Sequence, residues 1–188
     1  MKFKPRLKVW RNSTGKNVFD PETFQATSYS HWMYVKKIKG QVIFNDYNYS
    51  VTTGKHQNEM RHFLKTELKI KSIIYVDQRE SLSEGIFLDS FYKALALAEY
   101  RLTLKNRRAA FYEDQMTIVE NCKKNIAILK KLGATAKTKL ANHRINAQVE
   151  ETQRIESQRE KSKVAKLARQ TVVNEFKSQY ESTQAVEV

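Results

Sequence analysis

The chain has 188 residues, 40% hydrophobic and 11% aromatic, which supplies a core for roughly half its length and not for all of it. No run of about 18 apolar residues occurs, so nothing reads as a membrane span, and no apolar stretch follows the basic start MKFKPRLKVWR, which argues against a secretory signal. The lone Cys122 excludes an internal disulfide or a cysteine-based zinc cluster and fits a reducing, cytosolic setting.

The formal charge of +14 predicts attraction to polyanions: nucleic acid, an acidic protein face or an anionic surface. Residues 1–80 hold 15 Lys/Arg against 7 Asp/Glu, a net +8. Residues 81–132 (9 against 6) and 133–188 (10 against 7) each carry only +3. The basic excess belongs mainly to the first half.

Residues 2–9 alternate, with Phe3, Leu7 and Val9 on one face and Lys2, Lys4, Arg6 and Lys8 on the other. The pattern predicts a half-buried strand with a cationic outer face, placed at a sheet edge because Pro5 has no N–H to donate. Such a lysine row serves equally to contact a polyanion or to keep an edge strand from aggregating. From Asn12 to Ser30 the chain is broken by Ser-Thr-Gly and Asp20-Pro21, which predicts a loop with at most one short element near Val18 and Phe19.

The stretch from His31 to Leu68 dictates its shape most strongly. Trp32–Ile38 and Gln41–Phe44 are rich in β-branched and aromatic residues and flank Lys39-Gly40. A tight turn there would pair the two runs antiparallel, with Gly40 taking positive φ. After a polar aromatic segment, Thr52 or Thr53 can cap a helix whose apolar positions Met60, Phe63, Leu64 and Leu68 recur at helical spacing. Ile70–Val76 reads as a further strand, with Ile74 and Val76 opposing Ile73 and Tyr75.

Beyond Ser81 or Ser83, a candidate N-cap before Glu84, the pattern is helical, and no glycine or proline falls between Gly85 and Gly133. Leu82, Ile86, Phe91, Leu95 and Leu102 mark one apolar face; Phe111, Ile118, Val119, Cys122, Ile126 and Leu129 mark another. The cluster at residues 105–108 (Lys-Asn-Arg-Arg) either joins two helices or is a polar turn of one rod. Lys130 and Lys131 before Gly133 form a helix C-terminal signature. From Ala134 onward the composition is that of a long polar helix. Its apolar residues thin out, first Leu140, Ile145, Val149 and Ile155, then Val164, Leu167, Val172, Val173, Phe176 and Tyr180; they cannot build a core, and their spacing sustains no long heptad.

Grouped chemistry is scarce. His31, His56, His62 and His143 are scattered and read as ordinary surface or capping residues, with no metal-ligand spacing. Glu67-Leu68-Lys69, with Asp46 upstream, imitates the Glu-x-Lys end of a nuclease core, but it falls at a helix end where that core has a strand. No nucleophile elbow, phosphate-cradling loop or dinucleotide fingerprint occurs. No metal or cofactor site and no enzymatic activity is expected. Trp10, Trp32, Tyr34, Phe44, Tyr47 and Tyr49 interleave with Lys8, Arg11, Lys36, Lys37 and Lys39. Rings flanked by cations can stack bases and hold phosphates. A small sheet also needs such rings for its own core, the more economical reading.

The segment Asn45-x-Tyr47-x-Tyr49-Ser50-x-Thr52-Thr53-x-x-His56-Gln57 resembles a short motif of small uncharacterised proteins encoded by tailed bacteriophages, where it likewise follows a hairpin and opens a helix. The resemblance covers residues 45–57 and implies a setting, a phage-derived element in a bacterial cytoplasm, without supplying an activity.

The sequence therefore predicts an α+β fold, a small N-terminal antiparallel sheet with one packed helix followed by long α-helices. The expected division is a basic domain over 1–80, a helical region over 81–132, and a long polar helix with a frayed tail over 133–188. The functional expectation is a non-catalytic phage-type assembly or scaffolding protein. Its helices would gain burial on a partner protein or on copies of itself, in the host cytoplasm or with a viral particle. Two alternatives are a nucleic-acid-binding protein, using Lys2, Lys4, Arg6, Lys8, Arg11, Lys36, Lys37 and Lys39, and an inhibitor of a host protein.

Overall fold

The computed structural model describes residues 9–184, with side-chain burial through residue 176. The chain divides into two units, one ending at Arg144 and the other beginning at Ile145. The expected strand over residues 2–9 lies almost wholly outside the described residues.

The first unit is built on a six-stranded sheet in sequence order: β1 (Trp10–Arg11), β2 (Asn17–Asp20), β3 (Gln25–Ser28), β4 (Trp32–Ile38), β5 (Gln41–Asn45) and β6 (Ile73–Val76). Five strands form an antiparallel meander, and β6 then joins β5 in parallel. The sheet is therefore mixed where sequence predicted it antiparallel. Parallel neighbours need a crossover, which α1 (Val51–Thr66) supplies.

The β4–β5 hairpin turns as its residues require. Lys39 (φ 46°) and Gly40 (φ 83°) both occupy the left-handed region, and Ile38 pairs with Gln41. This is the two-residue geometry whose twist matches the strands. The segment expected to be a loop, Asn12–Ser30, is instead the β2–β3 hairpin. Its inward positions are Asn17, Phe19, Ala26 and Ser28, so a true period of two was hidden by small and polar residues on the buried face.

Both faces of the sheet are covered. Val42 and Phe44 face α1 with Phe19, Tyr34, Met60 and Leu64, while Ile43 between them packs with Ile74 and Val76 on the opposite side. A bulge adjusts this alternation. Ala26 pairs with Val35 and Thr27 with Met33, leaving Tyr34 as the extra residue on β4. Tyr34 and Val35 both end up buried on the α1 face, a re-aiming that bulges permit.

The cap of α1 is Ser50, not Thr52 or Thr53: its hydroxyl accepts the Thr53 N–H at 3.1 Å. The second face is covered by α2 (Asp89–Thr103) and α3 (Ala109–Lys131), joined through residues 104–108. Leu95 of α2 and Cys122, Ile126 and Leu129 of α3 share a core with Ile43, Ile74 and Val76. Residues 81–132 are thus packed against the sheet within one unit, in place of the separate region expected. Ser81 and Glu84 exchange bonds in a single turn (Ser81 N to Glu84 Oε1, 3.2 Å; Glu84 N to Ser81 O, 3.0 Å). No helix follows that turn; α2 begins only at Asp89, after Gly85 at φ 139°. At the far end α3 stops at Lys131, and Gly133 takes φ 91°.

After Gly133, Thr135 bridges Phe87, and the Asp89 carboxylate accepts the Lys137 and Thr138 N–H groups, both at 2.9 Å. Burial alone would raise the Asp89 pKa; these two bonds and His143 outweigh it and hold the group below the ordinary carboxylate value. The last helix, α4, runs Leu140–Gln184 over 45 residues, roughly 67 Å at 1.5 Å per residue.

Candidate functional site

Of the cations expected to form a polyanion face, the four that the structure describes do not share one face of the sheet. Lys2, Lys4, Arg6 and Lys8 lie outside the described residues. Arg11 sits on the two-residue edge strand β1, opposite Val18. Lys36 pairs with Ile43 and Lys37 with Val42, which puts them on opposite faces of the sheet. The Lys37 ammonium lies 5.0 Å from the Phe24 ring centroid, and Lys39 Nζ donates to the Lys131 carbonyl at the end of α3, at 3.4 Å.

The interleaved aromatics are core. Trp32, Tyr34 and Phe44 are buried. Their rings contact one another, Trp32 stacked on Tyr34 at 5.8 Å, Tyr34 edge-on to Phe44 at 5.7 Å, and Phe44 tilted against Tyr75 at 5.4 Å. A base has no free face to stack on there. Tyr49 alone of the named rings is mostly exposed, tilted against Trp32 at 5.9 Å.

The Asp46, Glu67 and Lys69 trio is also kept apart. Asp46 is ion-paired with Arg61, midway along α1. Glu67 and Lys69 lie beyond the helix end, with Lys69 at φ 50°. Among the described residues no three His, Cys, Asp or Glu side chains come together as metal ligands.

The residues of segment 45–57 have structural work. Asn45, fully buried, donates to the carbonyls of Gln78 (2.8 Å) and Glu80 (3.0 Å) and accepts the N–H groups of Tyr47 and Gln78, both at 3.2 Å. Gln57 Nε2 donates to the carbonyls of Asn45 (2.8 Å) and Tyr47 (3.1 Å). Together they fasten the start of α1 to the strand ends.

His56 corrects the expectation of surface histidines. It is buried, with Nδ1 2.8 Å from Ser28 Oγ. Asn17 Nδ2 donates to the His56 carbonyl and to Glu59 Oε2, each at 3.1 Å, and the Tyr34 hydroxyl donates to Asn17 Oδ1 at 2.5 Å. Burial lowers the His56 pKa; Glu59 pulls it upward, Lys16 pushes it further down, and the result is a depressed value. The Ser28–His56 pair has the contact a nucleophile and base would share, yet Ser28 is buried from any substrate. This cluster ties α1 to β2, β3 and β4. One signal for it was present: stepping back from Leu64 and Met60 by helical turns reaches Gln57, His56 and Thr53, so the inner stripe of α1 simply becomes polar.

An open cleft of about 480 Å³ lies beside α1, lined by Trp10, Glu59, His62, Phe63 and Glu67. Its floor is the Trp10–Phe63 stack, at 5.4 Å. Phe63, expected in the core, is only half-buried for that reason.

The expected interface residues with described side chains are exposed. Within the second unit Val164, Leu167 and Phe176 are 64%, 65% and 69% exposed, and Val172 and Val173 about half exposed. Tyr180 falls beyond the described side chains. No described helix is long and apolar enough to cross a membrane. Comparison with protein-family models, curated proteins and solved structures returned no match.

Proposed function

We propose that the chain is a non-catalytic assembly or scaffolding protein of phage type, acting in a bacterial cytoplasm or with a viral particle, whose long C-terminal helix is covered by protein in use. The supporting observation is the exposure of Val164, Leu167, Val172, Val173 and Phe176 on α4. A helix without a buried face is marginal in water, and covering these side chains would contribute about 25 cal/mol per Å² of apolar area removed. The buried polar groups of the first unit, by contrast, are spent on holding strands and helix together. Inhibition of a host protein would use the same helix.

Sedimentation of wild type and the Leu167→Ser/Phe176→Ser variant tests this reading. Concentration-dependent association that disappears in the variant, with the first unit still folded, is expected. A monomeric wild type whose α4 melts cooperatively without any partner would overturn it. The net +8 of residues 1–80 favours nucleic acid as a second reading. Affinity should then fall steeply with salt and weaken when Lys2, Lys4, Arg6 and Lys8 are neutralised together.

A further inference from the structure

Residues 1–144 hold 27 Lys/Arg and 13 Asp/Glu, so the entire +14 lies there; residues 145–188 hold 7 of each and are neutral. Two stretches of the first unit carry cations and no acid at all. Residues 23–45 contain Lys36, Lys37 and Lys39, and residues 121–144 contain seven Lys/Arg. The fold joins these stretches where the β4–β5 turn meets the end of α3, with Lys39 Nζ donating to the Lys131 carbonyl at 3.4 Å.

Of the seven cations in the second stretch, Lys137 is paired with Glu80 and Arg144 with Glu99. Lys123, Lys124, Lys130 and Lys131 are exposed on α3, as is Lys39 in the turn. Among the described residues none of these five is paired with a carboxylate. This half of α3 buries Cys122, Ile126 and Leu129 against the sheet. Its exposed residues are the four lysines with Asn121 and Ala127. Lys123 and Lys130 are seven residues apart, close to two full turns, and so are Lys124 and Lys131, so each pair points the same way.

Cations at a helix C-terminus complement its dipole, which accounts for Lys130 and Lys131. That effect fades within the last turn, so it does not account for Lys123 and Lys124. Lys39 answers a helix-end carbonyl, yet its ammonium keeps two donors and its full charge. Five ammonium groups thus stand at one end of the unit without acids to answer them.

We propose that this lysine face binds the phosphate backbone of a nucleic-acid duplex. The inference rests on the second reading above, nucleic acid, and moves its contact face from residues 2–8 to α3 and the β4–β5 turn. The make-up of the face selects the partner. It presents no large apolar side chain, so it lacks both the anchor that a protein partner would bury and the wedge that a membrane-surface helix inserts. No aromatic residue occurs between Asn121 and Lys131, so a single strand finds no ring on which to stack its bases. Lysine is a point charge without the guanidinium fork, suited to holding a phosphate and not to reading a base. The two lysine pairs stand roughly 10.5 Å apart along the helix, about three steps of one strand at ~3.4 Å each. Binding is then driven by release of the counterions that those phosphates hold. Glu120, one turn before Lys124, bounds the face.

The test uses the full chain and short labelled DNA and RNA duplexes of mixed sequence, with affinity measured between about 50 and about 200 mM salt. Lys123→Gln/Lys124→Gln/Lys130→Gln/Lys131→Gln should weaken binding roughly 100-fold at about 100 mM salt and make the logarithmic salt slope shallower by about three to four. A charge-matched control, Lys161→Gln/Lys163→Gln/Lys166→Gln/Arg169→Gln, should stay within about threefold of wild type, because it leaves the face intact. Equal losses in both variants would overturn a defined face in favour of general charge attraction. Loss on neutralising Lys2, Lys4, Arg6 and Lys8, with the α3 variant unchanged, would overturn this face and leave the nucleic-acid reading standing. No binding of either duplex by wild type at the lowest salt would overturn both. Tighter binding to a single strand, to polyglutamate or to vesicles containing phosphatidylserine would overturn the duplex as partner. Where the α3 variant does not fold, acetylation of the wild-type lysines with and without duplex, read by mass spectrometry, decides the matter. Protection of Lys123, Lys124, Lys130 and Lys131 is expected, and equal labelling in both samples would overturn the proposal.

Discussion

Along β5, Val42 and Phe44 meet α1 while Ile43 between them meets the core shared with α2 and α3, so each step of the strand is covered on one side or the other. Along α4 beyond Ile145, Val164, Leu167 and Phe176 are about two-thirds exposed. The two regions also differ in charge, the first holding the whole net positive charge and the second none. In the first, a core of apolar side chains and a set of buried polar ones, Asn17, Asn45, His56 and Gln57 among them, hold the unit together. In the second, Val164, Leu167, Val172, Val173 and Phe176 stay at least half exposed. The difference separates a region that specifies its own structure from one whose apolar surface is there for something else to bury.

The sharpest way to break this contrast is to remove a ring that the first unit depends on. Phe44→Ala should cost about 3–5 kcal/mol, because the ring is fully buried between Tyr34 and Tyr75. Urea unfolding followed by circular dichroism measures this, and a loss under about 1 kcal/mol would mean the unit is not organised around β5. Asn45→Ala should come next, at about 2–3 kcal/mol, since it leaves the Gln78 carbonyl and the N–H groups of Tyr47 and Gln78 without their partner. The same denaturation curve reports it.

A smaller effect is expected from pH. His56 faces Ser28, the Tyr29 ring, Glu59 and Lys16, and its folded pKa lies below the ordinary value. The unfolded chain therefore takes up the proton first. Stability should be complete above the unfolded histidine value of about 6.5 and decline as pH falls below it. Wild type and His56→Gln compared between pH 7.5 and 5 should differ in slope; parallel curves would show that His56 does not contribute. The smallest effect belongs to α4. Leu167→Ser/Phe176→Ser should leave the unfolding free energy of the first unit unchanged to within about 0.5 kcal/mol. A larger change would show that the two regions are not energetically separate.

What could be read from the sequence followed how far a physical pattern survived local exceptions. The β4–β5 hairpin was legible because Lys39-Gly40 interrupts two strongly β-prone runs, and the α3 terminus because Lys130, Lys131 and Gly133 agree with one another. The β2–β3 hairpin was not, since its buried positions include Asn17 and Ser28, which a hydrophobic alternation ignores. Ser81 and Glu84 close a turn and no helix follows, because Gly85 comes next at a φ no helix can use. The candidate interface on α4 was visible in composition alone, as apolar residues too few to bury one another. The cleft at Trp10 and the polar cluster around His56 bring together residues up to several dozen positions apart, and no single stretch encodes them.

The parallel seam between β5 and β6 also has a temporal side. The five-strand meander closes through short turns, whereas Ile73–Val76 can register against Val42–Asn45 only after the intervening 27 residues are placed. Non-local closures of this kind come late and slow folding. During synthesis the chain therefore passes through a stage in which β5 is complete but its outer edge is bare. Ile43 then waits for Ile74 and Val76, and for the two helices after them. A pause in synthesis once β5 has left the ribosome, but while Ile73–Val76 is still inside its exit tunnel, would hold an unpaired, apolar strand edge in the open, the form in which sheets recruit copies of themselves.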